Sequence, residues 1–119
     1  MRRLTDADVA RALLDSVRKY HDDGHWWCRL FLLMPDHLHA LLSFPRDAGM
    51  SATVRQWKSY HARINQVRWQ DGYFDHRIRT GSELDEKDHY IRQNPVANGL
   101  CETPEDWSWV IDLKGLENQ

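Results

Sequence analysis

Apolar residues recur along this chain with two different periods, and each change of period marks an element. Val9, Leu13, Leu14, Val17 and Tyr20 are spaced three and four apart, which places them on one stripe of a helix. Thr5, followed by Asp6 and Asp8, is a helix-start signal, and Gly24 closes the segment. From Trp26 to Leu33 the chain is apolar throughout except at Arg29, the pattern of a well-buried strand. Met34-Pro35-Asp36 breaks that run, because proline fixes its backbone angle and removes a ladder donor. Alternation then takes over from His37 to Phe44: Leu38, Ala40 and Leu42 belong to one face, His37, His39 and Leu41 to the other. The two runs predict an antiparallel hairpin with helices on one face and two histidines on the opposite one.

Helical spacing returns after Pro45–Gly49. Ser51 is a candidate cap for a second helix reaching about Val67, with Val54, Trp57, His61 and Ile64 as its stripe. Gln70-Asp71-Gly72 reads as a turn, flanked by two short candidate strands, Val67-Arg68-Trp69 and Tyr73-Phe74. Ser82 and Asp85 resemble a capping box for a third helix, expected to stop near Gln93 because Asn94-Pro95 follows. Trp107 to Leu113 is expected to pack the tail onto the body.

With 119 residues, 41% hydrophobic and 29% charged, the chain reads as one folded domain over 1–119. No apolar run approaches the ~20 residues that span a bilayer, so no membrane partner is expected. The opening Met-Arg-Arg-Leu-Thr-Asp lacks the apolar stretch of a secretory signal and reads as cytoplasmic. Cys28 and Cys101 are too few and too far apart for a disulfide framework or a zinc knuckle. A net charge of −2 argues against coating duplex DNA by charge alone, but the charges are segregated. Six cations (Arg55, Lys58, Arg63, Arg68, Arg77 and Arg79) face two acids between 55 and 79, whereas seven acids face two cations between 82 and 106. A basic half of this kind offers a path for a phosphate backbone, and equally describes an ordinary solvated face.

Three constellations carry candidate chemistry. His37-Leu38-His39 puts two imidazoles on one face of a strand, roughly 6–7 Å apart at Cα, within reach of one divalent ion. The same pair also suits hydrogen-bonded strand histidines. Tyr90 and Asn94, four apart, share one face of a helix, so that a phenolic oxygen lies beside an amide oxygen. The blander reading makes Tyr90 a packed helix residue and Asn94 a cap before Pro95. Trp57, Tyr60, Trp69, Tyr73 and Phe74 interleave with the basic residues, a composition that suits stacked bases and neutralised phosphates and, in part, a core. No His-Glu-x-x-His, Cys-x-x-Cys, Gly-rich phosphate loop or Gly-x-Ser-x-Gly elbow is present.

In combination these stretches resemble the HUH single-tyrosine (IS200-like) transposases. Leu33-Met34-Pro35-Asp36-His37-Leu38-His39 looks like that family's Met-Pro-(Asn/Asp/Glu)-His-hydrophobic-His signature. Gly72-Tyr73-Phe74-Asp75-His76-Arg77-Ile78-Arg79 and Tyr90-Ile91-Arg92-Gln93-Asn94-Pro95-Val96-Ala97-Asn98-Gly99-Leu100 resemble two further blocks of its REP-associated branch, in the expected order, and Trp107 also fits. The resemblance implies an α+β fold, an antiparallel sheet (ferredoxin/RRM-like) flanked by helices. It also implies cleavage of single-stranded DNA near hairpins by a monomer or homodimer. Carried residue by residue, it makes Tyr90 the nucleophile, and His37, His39 and Asn94 the ligands of Mg²⁺ or Mn²⁺. Arg55, Lys58, Arg63, Arg68, Arg77 and Arg79 become candidate DNA contacts. Family members open with a strand before the first helix. Here the chain starts almost directly on Arg2-Arg3-Leu4-Thr5, so that strand is expected to be missing and the histidine strand to have an unpaired edge. Two other readings remain: a non-catalytic hairpin-binding module derived from such an enzyme, and a metal-dependent hydrolase of small phosphoesters.

Overall fold

In the computed structural model, which describes residues 3–45, 49–69 and 80–113, the first apolar stripe folds as α1 (Ala7–Asp22). Val9, Ala10, Leu13, Leu14 and Val17 are its buried face, and Tyr20 packs against the same core. The N-cap is Asp6 rather than Thr5. Its carboxylate accepts from the Arg3 backbone N–H at 3.0 Å instead of capping the helix. Beyond the helix, Gly24 takes φ +81°, a left-handed turn that residues with a Cβ adopt at a cost.

The predicted hairpin is β1 (Trp27–Leu33) against β2 (Leu38–Ser43), antiparallel and closed by the Met34 N–H donating to the His37 carbonyl at 2.8 Å. A register irregularity at Arg29 sets which face each residue takes. Cys28 pairs with Leu42 but Leu30 with Leu41, so Arg29 is an extra residue on β1. That single insertion lets the even-numbered Trp26 and Cys28 and the odd-numbered Phe31 and Leu33 enter one core. Leu38, Ala40 and Leu42 of β2 pack against the same core, as their alternation predicts.

The third strand comes from the tail. Val110–Asp112 (β3) pairs antiparallel with the far side of β1, giving the order β2-β1-β3. The tail is thus bound by ladder hydrogen bonds as well as packing, and Leu113 behind it is buried. Among the described residues, none pairs with the outer edge of β2.

The second helix is α2 (Met50–Ile64), capped by Gly49 rather than Ser51 and ending three residues before Val67. It stops because Gln66 turns left-handed (φ 57°) and the Val67 N–H returns to the His61 carbonyl. Val67–Trp69 is irregular rather than a strand, and the turn at Gln70–Gly72 and the strand at Tyr73-Phe74 lie outside the described residues. Thr53, Trp57 and His61 form the buried face of α2, whereas Ile64 is exposed at its end. The Trp57 ring sits 5.8 Å from Trp26 and 5.4 Å from Phe31, so aromatic packing joins α2 to the hairpin.

A buried polar chain joins α2 to α1. Ser16 Oγ donates to the Leu13 carbonyl (2.7 Å) and receives the Trp57 indole N–H (2.8 Å). Its one proton is thereby used, so the His61 Nε2 at 2.7 Å must donate to it. His61 Nδ1 is then left to accept from the Asn65 amide at 2.7 Å. Every member is satisfied only while His61 is neutral, and burial lowers its pKa to about 4. The Ser-His-Asn arrangement therefore couples helices. It does not activate a nucleophile, because the serine proton is committed to a backbone carbonyl.

The chain divides into two compact units, Met1–Trp69 with Trp109–Gln119, and Gln70–Ser108. All the elements above belong to the first. The second holds α3 (Gly81–Ala97) and a short 3₁₀ turn (Pro104–Asp106). Thr80, not Ser82, caps α3, accepting the Glu83 N–H at 3.1 Å. The helix also runs through Pro95 instead of ending before it. Its stop is supplied by Gly99, at φ +73°, whose N–H bonds the Val96 carbonyl while the Leu100 N–H bonds that of Pro95. No helix among the described residues is long and apolar enough to cross a membrane.

Candidate active site

The site begins at the hairpin turn. The Pro35 carbonyl accepts the Leu4 N–H at 3.0 Å, which ties the turn to the segment before α1. His37 sits just before β2 and His39 within it, opposite Leu32. Because Leu38 faces the core, the two imidazoles share the other face, with ring centroids 5.0 Å apart and planes at 82°.

The two rings are differently prepared. His37 Nδ1 lies 2.7 Å from Asp36 Oδ1. An ionised carboxylate only accepts, so the proton is on Nδ1 and the lone pair of neutral His37 is on Nε2. That hydrogen bond also holds the Asp36 carboxyl below the usual carboxylate range. His39 is held below the usual histidine range, first by desolvation and then by the charge of His37. Its Nε2 is buried and has no hydrogen-bond partner among the described residues. A neutral imidazole with an unpaired buried nitrogen, beside a second imidazole whose tautomer is fixed, fits a divalent metal ion. Among the described residues, no group of three or more His, Cys, Asp or Glu side chains is placed to hold a metal.

Tyr90 and Asn94 occupy successive turns of α3, as their spacing predicts. Tyr90 is 64% exposed, so it is not the packed helix residue that the blander reading made of it. Asn94 is half-buried, and its Oδ1 lies 3.2 Å from Asn98 Nδ2. Since the helix continues past it, Asn94 is an interior helical residue rather than a terminal cap. The structure thus brings His37 to His39 in the first unit and Tyr90 to Asn94 in the second.

The basic residues divide. Arg55 and Arg63 are exposed on the polar side of α2, and Arg68 is exposed in the irregular segment beyond it. Lys58 is half-buried, with Nζ 5.6 Å from the centroid of the Trp69 ring, and burial lowers its pKa. Arg77 and Arg79 lie outside the described residues. Of the aromatic residues interleaved with them, Trp57 is core and Trp69 packs on it at 5.4 Å while donating to the Lys58 carbonyl. Tyr60, 46% exposed, is the one described member of that set with much surface in solvent. Sequence reasoning missed Asp36 and Asn98 as partners of candidate site residues. Adjacency to His37 marked the first. The second, four residues beyond Asn94, was hidden by the expectation that Pro95 ends the helix.

The fold is α+β, a three-stranded antiparallel sheet accompanied by helices. The chain belongs to the IS200-like transposase family, whose model, described as Transposase IS200 like, matches residues 2–94. It is similar to a Haemophilus influenzae protein named as a REP-associated tyrosine transposase, 28% identical over 94 residues. The match covers 65% of this chain and 53% of the relative, so the chain spans about half the length of that protein. A solved structure of a REP-associated tyrosine transposase bound to a REP hairpin shares the fold. Its TM-score is 0.77 at 24% identity, over 90% of this chain and 66% of that one.

Proposed function

We propose that this chain cuts and rejoins single-stranded DNA beside a hairpin, with Tyr90 as nucleophile and His37, His39 and Asn94 as the protein ligands of Mg²⁺ or Mn²⁺. The observation that carries the reading is the buried, unpartnered Nε2 of His39 next to His37. A buried polar atom left without a partner costs about 1–3 kcal/mol, a cost that coordination of an ion relieves. Membership of the IS200-like transposase family supports DNA as the substrate class, and the hairpin-bound relative supports a hairpin as the feature recognised.

In the proposed reaction the Tyr90 phenolic oxygen forms a bond to a backbone phosphorus as the bond from phosphorus to the 3′ oxygen breaks. The product is a 5′-phosphotyrosine and a free 3′-hydroxyl. The phenolic proton is lost to solvent and the departing 3′ oxygen gains one. Rejoining is the reverse attack by a 3′-hydroxyl, so no phosphodiester energy is spent. A bound divalent ion supplies charge stabilisation at the non-bridging phosphate oxygens. The exposure of Tyr90 suits a side chain that must meet a polymer, and Arg55, Arg63 and Arg68 suit phosphate contacts.

The test is a labelled hairpin oligonucleotide with single-stranded flanks, incubated with the protein and Mn²⁺. A covalent adduct is expected from the unaltered chain and none from Tyr90→Phe; equal yields would refute the assignment. A hairpin-binding module without cleavage is the second reading, favoured by the outer edge of β2, where no described residue supports the histidine strand. It predicts salt-sensitive binding that survives His37→Ala and His39→Ala, with no adduct from any variant.

A further inference from the structure

Asn98 makes two contacts through one nitrogen. Its Nδ2 donates to the Asn94 backbone carbonyl at 2.8 Å and lies 3.2 Å from Asn94 Oδ1. Together they fix the orientation of two amides. A backbone carbonyl only accepts, so Asn98 must present nitrogen there and cannot be flipped. With nitrogen in that place, Asn94 must present oxygen to it, because two amide NH₂ groups facing each other would both lack an acceptor. We propose that Asn98 is a positioning residue that holds the Asn94 amide with its oxygen fixed as a metal donor, an inference that rests on Asn94 being a ligand.

The chemistry is consistent at each atom. An amide oxygen has two lone-pair directions, and the Asn98 contact uses one, leaving the other for a cation. Only the oxygen of an amide ligates a hard divalent ion, so an amide free to flip spends part of its time with the wrong atom in place. Hydrogen bonding to a ligating oxygen is the usual work of an outer-shell partner, and losing such a partner costs roughly 10–100-fold in metal affinity. The device depends on the helix continuing through Pro95. Asn98 is its C-cap, one turn beyond Asn94, and a helix ending at Gln93 would not align the two side chains.

Mn²⁺ titration of the whole chain by calorimetry, without DNA, tests the inference. Asn98→Ala should weaken Mn²⁺ binding about tenfold and Asn94→Ala at least as much. The double variant should bind no more weakly than Asn94→Ala alone, since Asn98 acts only through Asn94. Circular dichroism of each variant reports on the helix, so a general loss of folding is recognised separately. The inference is overturned if Asn94→Ala weakens binding while Asn98→Ala does not, or if the Asn98→Ala effect persists in full without Asn94. If Asn94→Ala binds Mn²⁺ like the unaltered chain, the ligand assignment itself fails, and this inference with it.

Discussion

His39 and His61 are both kept neutral by desolvation, yet only one of them has every ring nitrogen satisfied. His61 donates to Ser16 and accepts from Asn65, so its burial serves the packing of α2 on α1. Among the described residues His39 Nε2 has no partner, the feature on which the proposed metal site rests. The contrast yields a pH prediction for His61. Its folded-state pKa of about 4 lies below the ordinary histidine value of 6.5, so folding favours the neutral form. The resulting stability is fully present above pH 6.5 and is lost as pH falls through 4. By pH 4 the loss from this group amounts to about 3 kcal/mol. NMR titration of the His61 ring in the folded chain should give a midpoint near 4; a midpoint near 6.5 would contradict the buried network.

At the scale of elements, the sheet's facing depends on how Arg29 is accommodated. Were Arg29 paired as an ordinary strand residue, Phe31 and Leu33 would point away from the core that holds Trp26 and Cys28. Deleting Arg29 leaves Cys28–Leu42 and Leu30–Leu41 as successive pairs, so the facing is kept and cooperative thermal unfolding should be retained. Inserting one alanine between Leu30 and Phe31 turns Phe31 and Leu33 outward and should abolish it; a sharp melting transition in the insertion variant would contradict this register. The bulge was not legible in the sequence: Arg29 alone interrupts the run, and apolar residues on both sides of it give no alternation whose phase could be seen to shift. By contrast, α1 and the hairpin were legible, since Val9 to Val17 follow one helical stripe and Leu38, Ala40 and Leu42 alternate with His37, His39 and Leu41. The end of α3 was misread because a proline usually ends a helix, while the stop set by Gly99 lies four residues further on. β3 was read only as a packed tail, since three residues are too few to show a period. Of the candidate site, the side-chain pairs were visible as spacings. Asp36 and Asn98 were not: adjacency alone does not show that Asp36 bonds the His37 ring, and the four-residue spacing of Asn94 and Asn98 has meaning only once the helix passes Pro95.

For the whole molecule, charge is divided between the two units. Exposed Arg55, Arg63 and Arg68 belong to the unit with the histidines, and the acids between 82 and 106 to the unit with Tyr90. Arg77 and Arg79, two further candidate phosphate contacts, fall in the stretch assigned to the second unit and lie outside the described residues. IS200-like membership and the shared fold set the context, while the histidine pair and the tyrosine helix make the account specific to this chain. Its central claim is that DNA becomes bonded to one named oxygen. Trypsin cuts after Lys87 and Arg92, so mass spectrometry of the digested adduct isolates Tyr90 on the short peptide Asp88–Arg92. A nucleotide-bearing phosphotyrosine is expected on that peptide. Finding the nucleotide instead on a peptide that carries another tyrosine, such as the exposed Tyr60, would contradict the assignment of Tyr90.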